Sequence, residues 1–187
     1  MDNIILCGLP LTGKSFLGEQ LAKALSWSFV DTDRRIEQLH RQDSCFLSCR
    51  EIYARKGEEF FRELEHEVIA QLHGTKNAVI AIGGGALSKE AAAKLLQAIG
   101  KIIYLRAPLD LILQRLKQKK SLPAYLSTHS AVTEFVALAE RRIPLYEQHA
   151  HFTLDIDQHT HAETILNALQ LEDVKLPSSF ALAGNTK

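Results

Sequence analysis

The sequence predicts a three-layer α/β/α fold around a parallel sheet of about five strands, and three observations carry that prediction. Short, uninterrupted apolar runs are typical of parallel strands that are covered on both faces. These runs alternate along the chain with longer stretches of helical periodicity. The first run leads directly into a glycine-rich loop that opens a helix. We expect one domain over residues 1–171 and a loosely held tail over residues 172–187.

The first part of the chain predicts two strands, each followed by a helix. Ile4–Cys7 is continuously apolar, and Ser26–Val30 alternates between polar and apolar side chains, as a short strand does. The helix between them is expected over residues 15–25, with an apolar face made by Phe16, Leu17, Leu21 and Leu25. The next helix is expected from Arg34 to His40, after an Asp and Thr cluster that is typical of helix starts.

The middle of the chain predicts a long helical region and a third strand. Residues 44–73 carry two or three helical segments, broken near Lys56–Gly57. Asn77–Ile82 is a continuous apolar strand, and an Ala- and Leu-rich helix over residues 86–98 ends at Gly100. The helix before this strand has an apolar face at helical spacing, made by Phe60, Phe61, Leu64, Val68, Ile69 and Leu72.

The last part repeats the alternation of strands and helices. Lys101–Leu105 and Phe152–Ile156 are apolar enough to be strands of the same sheet. Helices are expected over residues 109–119, 133–148 and 161–171. The alternation predicts a doubly wound sheet, whose ligands bind at the carboxyl ends of its strands.

The glycine-rich loop after the first strand has the phosphate-binding P-loop pattern. Gly8 is followed by four residues and then by Gly13-Lys14-Ser15. Backbone N–H groups and the positive end of the following helix suit a polyphosphate, Lys14 suits the β- and γ-phosphates, and Ser15 suits Mg²⁺. A chance match is rare, and the flanking strand and helix supply the required context. Phe16 is assigned no contact with the nucleotide, and the predicted nucleotide-binding residues are Gly8, Leu11, Thr12, Gly13, Lys14 and Ser15.

Three further features stand where ligands bind in such a sheet, and each leaves alternatives open. Asp31-Thr32-Asp33 follows the second strand, so its carboxylates either cap the next helix or take part in chemistry, and the pair favours chemistry. Arg62 lies among glutamates, so a weak surface ion pair is its simplest role. Three consecutive glycines, Gly83–Gly85, permit the backbone to approach a ligand closely.

The composition excludes several classes of protein. The 187 residues include 22 Lys plus Arg and 22 Asp plus Glu, so no net charge favours nucleic acid or a membrane. No apolar run approaches the ~20 residues of a membrane span. Cys7, Cys45 and Cys49 form an odd set without zinc-site spacing, and with no secretory signal they predict a reducing, cytoplasmic location. Four clustered histidines, expected to be surface or capping residues, are His149, His151, His159 and His161.

Five motifs in this order make the chain resemble the shikimate kinase family. Such a series is far more specific than a P-loop alone, and the resemblance covers about residues 2–170. It implies a P-loop kinase fold with a mobile lid, and an enzyme that transfers the γ-phosphoryl group of ATP to the 3-hydroxyl of shikimate, on the route to aromatic amino acids. The motifs are Gly8–Ser15, Asp31–Asp33, Gly57–Glu65, Gly83–Gly85 and Arg142–Tyr146.

The resemblance implies an acceptor site built mainly from helices over residues 34–73. Asp33 would bind the hydroxyl groups of shikimate and act as the catalytic base. Arg62 and Arg142 would clamp its carboxylate, because two guanidinium forks suit one carboxylate. The backbone N–H groups of three glycines would contact the substrate, namely Gly83, Gly84 and Gly85.

The resemblance also implies a donor site for ATP and Mg²⁺. Lys14 would serve the transferred phosphoryl group, and Asp31 would hold Mg²⁺ through water beside Ser15. Arg115 would pack on the adenine ring, next to the turn at residues 157–159. The protein would act on a small molecule as a monomer, without nucleic acid or membrane.

One departure from the family concerns the lid, which is expected at about residues 117–131 because the helical periodicity weakens there. Relatives carry Arg-Pro-Leu-Leu in the lid, and this chain has Leu122-Pro123-Ala124-Tyr125. The missing arginine would weaken stabilisation of the transferring phosphoryl group unless Lys119 or Lys120 replaces it. Ala81 is a smaller departure, because relatives often have Ser or Thr there. Two alternatives therefore stay open: a kinase for another hydroxy acid such as gluconate, and a degenerate kinase that only binds its ligands.

Overall fold

The computed structural model describes residues 3–41, 47–118 and 130–171, and the five strands in this part form one parallel sheet. The strands are β1 (Asn3–Cys7), β2 (Ser28–Asp31), β3 (Ala78–Ala81), β4 (Lys101–Arg106) and β5 (Phe152–Asp155). Their order across the sheet is β2-β3-β1-β4-β5, which places the P-loop strand at the centre. The helices are α1 (Lys14–Leu25), α2 (Thr32–Leu39), α3 (Cys49–Gln71), α4 (Glu90–Ile99), α5 (Leu109–Gln118), α6 (Ala131–His149) and α7 (Ala162–Leu171), and a short 3-10 helix covers Ala86–Ser88.

The helices cover both faces of the sheet. Ile4 and Leu6 of β1 belong to a buried cluster with α1 and α7. Ile5 and Cys7 point to the opposite face, in a cluster with α3, α4, α5 and α6. This alternation of side chains along a fully buried strand confirms the predicted three-layer α/β/α fold. The buried thiol of Cys7 has its pKa raised to about 12 because it is removed from water, so it packs as a small apolar group.

The apolar face predicted for α1 is confirmed except at Phe16. Leu17, Leu21 and Leu25 lie four residues apart, so they share one face of the helix, and all three are buried in the cluster with β1. Phe16 is 61% exposed, because one position along a helix turns the side chain by about 100°. Its ring lines the same cavity as Ser15 and is not part of the core.

The carboxyl ends of the three neighbouring strands β1, β2 and β3 bring the predicted motifs together. The P-loop follows β1, and Gly83–Gly85 follows β3, which is the direct neighbour of β1. Asp31 at the end of β2 lies opposite Ala81 of β3 in the strand register. The parallel register thus gathers three motifs distant in sequence at one edge of the sheet.

Helix α3 contains the break that the sequence predicts. Gly57 has φ 86° and ψ 174°, which is non-helical and in a region that side chains disfavour. The helix starts at a capping box, in which Ser48 Oγ accepts from the Glu51 N–H and the Glu51 carboxylate accepts from the Ser48 N–H. A third cluster joins α3 to α2 and includes Ile36, Ile52 and Val68. This packing fixes the part of α3 that carries Arg62.

Several predicted details are wrong or lie outside the described residues. Strand β2 starts at Ser28 and not Ser26, because Ser26 takes a left-handed φ of 56° that ends α1. His149 is buried near Glu90 and is not at the surface. Cys45, most of the predicted lid and the predicted tail are outside the described ranges. No helix among the described residues is long and apolar enough to cross a membrane.

Candidate active site

A cavity of about 570 Å³ lies at the carboxyl edge of the sheet and is lined by several segments of the chain. The P-loop forms one wall, with Lys14 and Ser15 facing the cavity. Asp31 ends β2, Asp33 lies in the first turn of α2, and the far wall is formed by α3, the glycine turn Gly83–Gly85 and α6. The predicted residues of this site that line it are Leu11, Gly13, Lys14, Ser15, Asp31, Asp33, Arg62, Gly83, Gly84, Gly85 and Arg142.

The P-loop is held by its own backbone and by the Lys14 side chain. Gly8 and Gly13 have φ values of 144° and 97°, which glycine adopts at little cost, and Leu11 has the unusual φ of 68°. Lys14 Nζ donates to the carbonyls of Gly8 at 3.0 Å and Leu9 at 2.9 Å. Burial lowers the pKa of Lys14 to about 8, although Asp33 opposes the shift. The ammonium is therefore still mainly charged at pH 7.

Asp31 combines the two roles between which the sequence could not decide. Its Oδ1 accepts from the N–H groups of Asp33 at 3.0 Å and Arg34 at 3.3 Å, so it caps α2. Its Oδ2 accepts from Ser15 Oγ at 2.6 Å. The cap fixes the carboxylate beside the P-loop hydroxyl, which leaves two hard oxygen ligands adjacent at the cavity wall.

Asp33 is open to the cavity but has many protein atoms around it. Partial removal from water raises the pKa of Asp33 to about 6; the nearby Asp31 carboxylate adds to the rise, and Lys14 opposes it. Its exposure to water in the cavity keeps the carboxyl in exchange with solvent. A carboxyl group with a pKa near neutrality, facing a cavity, is suited to accept a proton from a hydroxyl group.

Arg62 forms a buried ion pair and not the surface pair expected from its spacing. The guanidinium lies 2.6 Å from Glu65 and 3.6 Å from Glu58, and the side chains of Arg62 and Glu65 are only 12% and 5% exposed. Burial lowers the pKa of Arg62, but Glu65, together with Glu58 and Tyr53, more than compensates, so the pKa is raised. Its guanidinium carbon also lies 5.7 Å from the centre of the Phe61 ring. The pair fixes the guanidinium at the cavity wall.

The three glycines leave room for charged side chains, and their close approach to a ligand stays a prediction. A Cβ on Gly83 would lie 2.8 Å from both Asp33 Oδ1 and Glu65 Oε1, and one on Gly85 would overlap the guanidinium of Arg62. None of the three has a positive φ, so space and not backbone conformation requires glycine. The sequence predicted close approach by a ligand; the described side chains already fill part of that space.

Thr32 and Tyr146 fix the glycine turn, and sequence reasoning gave neither of them this role. The buried Thr32 hydroxyl accepts from the N–H of Gly83 at 2.9 Å. The Tyr146 hydroxyl donates to the carbonyl of Gly84 at 2.5 Å. Tyr146 lies one helical turn after Arg142 on α6, so the same helix presents an arginine to the cavity and fixes the turn opposite it.

Glu65 was also missed, although the sequence carries a signal for it. It lies four residues after Phe61 and three before Val68, so it shares their apolar face. A carboxylate on a buried face requires a charged partner, and Arg62 is that partner. The other four glutamates between 58 and 67 are exposed.

Arg115 contacts the P-loop, and the turn at residues 157–159 follows β5; neither lines this cavity. Arg115 Nη1 donates to carbonyls of the P-loop, at 2.9 Å from Leu11 and 3.2 Å from Thr12. In the turn, Asp157 Oδ1 accepts from the His159 N–H at 2.9 Å and from the Thr160 hydroxyl at 2.8 Å. A second groove of about 760 Å³ runs between this turn and Leu9.

Sequence and structure comparisons agree on one family. The sequence profile of the shikimate kinase family matches residues 11–171. The shikimate kinase of Moorella thermoacetica is 39% identical over 144 residues, covering 77% of this chain and 79% of that protein. The shikimate kinase of Thermodesulfovibrio yellowstonii is 36% identical over 157 residues, covering 84% of this chain and 87% of that protein.

Solved structures give the same result. The shikimate kinase of Acinetobacter baumannii in complex with shikimate superposes with a TM-score of 0.83 at 31% identity, covering 94% of this chain and 96% of that one. The shikimate kinase of Bacteroides thetaiotaomicron superposes with a TM-score of 0.77 at 27% identity, covering 92% of this chain and 98% of that one. The chain therefore belongs to the shikimate kinase family.

Proposed function

We propose that the protein is a shikimate kinase, which transfers the γ-phosphoryl group of ATP to the 3-hydroxyl of shikimate. One observation carries the proposal: a single cavity presents the P-loop lysine Lys14, the carboxyl group of Asp33, and two arginines, Arg62 and Arg142. This set suits a phosphate donor and a carboxylated, hydroxylated acceptor in contact with each other. Family membership supports the same reaction and favours neither alternative.

In the proposed reaction, Asp33 accepts the proton of the attacking hydroxyl. The hydroxyl oxygen forms a bond to the γ-phosphorus, the bond to the bridging oxygen of ATP breaks, and ADP leaves with that electron pair. A pKa of about 6 leaves Asp33 ionised at pH 7 and still basic enough to take the proton. Lys14 offsets the negative charge on the phosphoryl oxygens.

The residues present fit Mg²⁺ bound mainly by phosphate and water. No group of three or more His, Cys, Asp or Glu side chains in the described ranges can hold a metal by itself. Ser15 and Asp31 offer two oxygen ligands 2.6 Å apart, and Mg²⁺ commonly takes few protein ligands in kinases. When bound, Mg²⁺ would neutralise charge on the transferred phosphate.

Arg62 and Arg142 are proposed to bind the carboxylate of shikimate. Glu65 orients Arg62, and Gly84 leaves room for Arg142, whose Nη1 would lie 3.1 Å from a Cβ at that position. Two guanidinium groups at one wall suit a rigid acid better than a flexible one, because less freedom is lost on binding. We further expect a cytoplasmic protein that acts as a monomer.

A coupled assay of ADP release tests the proposal, with shikimate and gluconate compared at equal concentrations. We expect ATP-dependent turnover with shikimate at least ~100-fold above gluconate, since only the rigid ring acid fits both arginines and Asp33. Turnover no higher than that of the Lys14→Ala variant would contradict it. If shikimate binds tightly without turnover and Leu122→Arg restores activity, the chain is instead a degenerate kinase.

A further inference from the structure

Arg115 joins helix α5 to the P-loop by hydrogen bonds to two consecutive carbonyl groups. One guanidinium nitrogen, Nη1, lies 2.9 Å from Leu11 O and 3.2 Å from Thr12 O. The same nitrogen would lie 3.9 Å from a Cβ on Gly13. The side chain is half-buried, and residues 11 and 115 are far apart in sequence. Arg115 is thus a tertiary contact to the turn that opens α1.

These two bonds fix the direction of two peptide groups. A peptide unit is planar and trans, so its N–H points opposite to its C=O. Because Arg115 holds the carbonyls of Leu11 and Thr12, it also fixes the N–H groups of Thr12 and Gly13, and that of Gly13 is directed away from the guanidinium. Gly13 lines the cavity. The orientation of a phosphate-binding N–H therefore depends on Arg115.

The loop has a reason to need such a restraint. Leu11 has φ 68°, a left-handed conformation that costs a non-glycine residue roughly 1–2 kcal/mol. Such a conformation persists only where surrounding contacts hold it in place. Arg115 bonds to the carbonyl of this residue, so the restraint acts at the strained position.

We propose that Arg115 is a positioning residue that holds the P-loop in its phosphate-binding conformation, and that it thereby sets the affinity for the polyphosphate of any nucleotide, whatever the base. This goes beyond the adenine packing that the family resemblance implies for Arg115. The inference concerns the loop and does not depend on the identity of the acceptor.

Isothermal titration of the full chain with inorganic tripolyphosphate and with ATP, each with Mg²⁺, tests the proposal. Arg115→Ala should weaken both ligands by the same factor, at least about tenfold, since hydrogen bonds to a charged group are lost from the loop. Arg115→Lys keeps the charge but on a shorter side chain with a compact head group. Its affinity for both ligands should therefore lie between that of the wild type and that of Arg115→Ala. The ratio of the two affinities should stay constant across the series.

Gln114→Ala is the matched control, because it removes an exposed side chain from the same turn of α5 and should change either affinity less than twofold. Thermal melting of each variant checks the fold, and the KM for shikimate should not change with Arg115→Ala. Weaker ATP binding with unchanged tripolyphosphate binding would overturn the proposal and leave adenine packing. Failure of the wild type to bind tripolyphosphate would also overturn it, because the loop would then not be preformed. The affinities for tripolyphosphate and for ATP remain informative even if shikimate is not the acceptor.

Discussion

The donor side of the cavity, Gly8–Ser15 with Arg115, and its acceptor side, which carries Asp33, Arg62 and Arg142, are assembled in different ways. The donor side is a single contiguous loop whose backbone forms the site, and one distant side chain restrains it. The acceptor side comes from α2, α3, the glycine turn and α6. Arg62, one of its charged groups, is fixed by another side chain, that of Glu65.

The two sides should therefore respond differently to substitutions. The contiguous loop depends on its own residues and on the restraint from Arg115, so changes away from these residues should spare the binding of ATP. The acceptor side depends on the packing of every segment that forms it. Small changes at Gly85 or Tyr146 should therefore alter the binding of the acceptor. The two sides meet at Asp33, whose pKa responds to Lys14 as well as to its acidic neighbours.

The largest expected effect is that of Lys14→Ala, which breaks the donor side alone. Removal of the charge next to the phosphoryl group should lower kcat by about 10³-fold. The affinity for shikimate, measured by calorimetry without nucleotide, should change less than about threefold. A loss of shikimate affinity as large as the loss of kcat would show that the donor and acceptor sides do not act independently.

Arg142→Ala should break the acceptor side alone. Loss of one of two guanidinium groups facing the carboxylate should raise the KM for shikimate by about 10- to 100-fold and leave the Kd for ATP nearly unchanged. Arg141→Ala is a matched control, because this neighbouring arginine is exposed and does not line the cavity. Equal effects of the two variants would remove Arg142 from the site.

The pH dependence of kcat/KM for shikimate, at saturating ATP, tests Asp33. Since its pKa is raised to about 6, the carboxylate forms only above that pH, so activity should rise with pH and reach a plateau near 7. At pH 5 the rate should be about tenfold below the plateau. Asp33→Asn should lower the rate by at least ~100-fold and abolish the acid limb. An acid limb that survives in this variant would assign the titration to another group.

Gly85→Ala changes only the space at the acceptor side. A methyl group there overlaps the guanidinium of Arg62, so the KM for shikimate should rise about fivefold or more as the arginine shifts. Gly74→Ala is the control: its φ of 83° makes the substitution destabilising through the backbone, but no atom of the described residues lies within 4 Å of the added methyl group. Both variants should have a lower melting temperature than the wild type, and only Gly85→Ala should change the KM for shikimate.

The smallest effect is expected for Tyr146→Phe, which removes the hydroxyl that donates to Gly84. Loss of this bond should cost about 1 kcal/mol of unfolding free energy and shift the melting temperature by about 2–4 °C. The KM for shikimate should rise about twofold as the turn loosens. Denaturant unfolding measures the first effect, and no change in either quantity would mean that the bond does not restrain the turn.

The donor side could be predicted from the sequence because its pattern is local. Gly8 and Gly13-Lys14-Ser15 lie within eight residues, and their spacing alone indicates the loop. The strands were predicted for a similar reason, since each is a short buried run between helical stretches. The predicted ends of some strands differ by one or two residues from those in the structure. At Ser26 the alternating pattern predicted the start of β2, but this residue ends α1 and the strand begins at Ser28. Phe16 was placed on the wrong face because an apolar side chain beside the site resembles one of the core.

The acceptor side could be predicted only in part, because its contacts join distant residues. The resemblance supplied Arg62, but spacing on α3 suggested exposed partners, and burial of Glu65 changes the strength of that pair. Nothing in the order of residues places Arg115 against Leu11 or Tyr146 against Gly84. Such pairs depend on how α5 and α6 pack across the sheet, which a single sequence does not specify.

Both sides of the cavity should act on one reaction, and identification of its product shows whether they do. Purified protein, ATP, Mg²⁺ and shikimate would be incubated, and the products analysed by mass spectrometry and ³¹P NMR. We expect one phosphate ester of shikimate, on the 3-hydroxyl, formed in equal amount with ADP, and none with Lys14→Ala. Release of ADP without a phosphorylated acid, or no ester above the level of Lys14→Ala, would contradict the account.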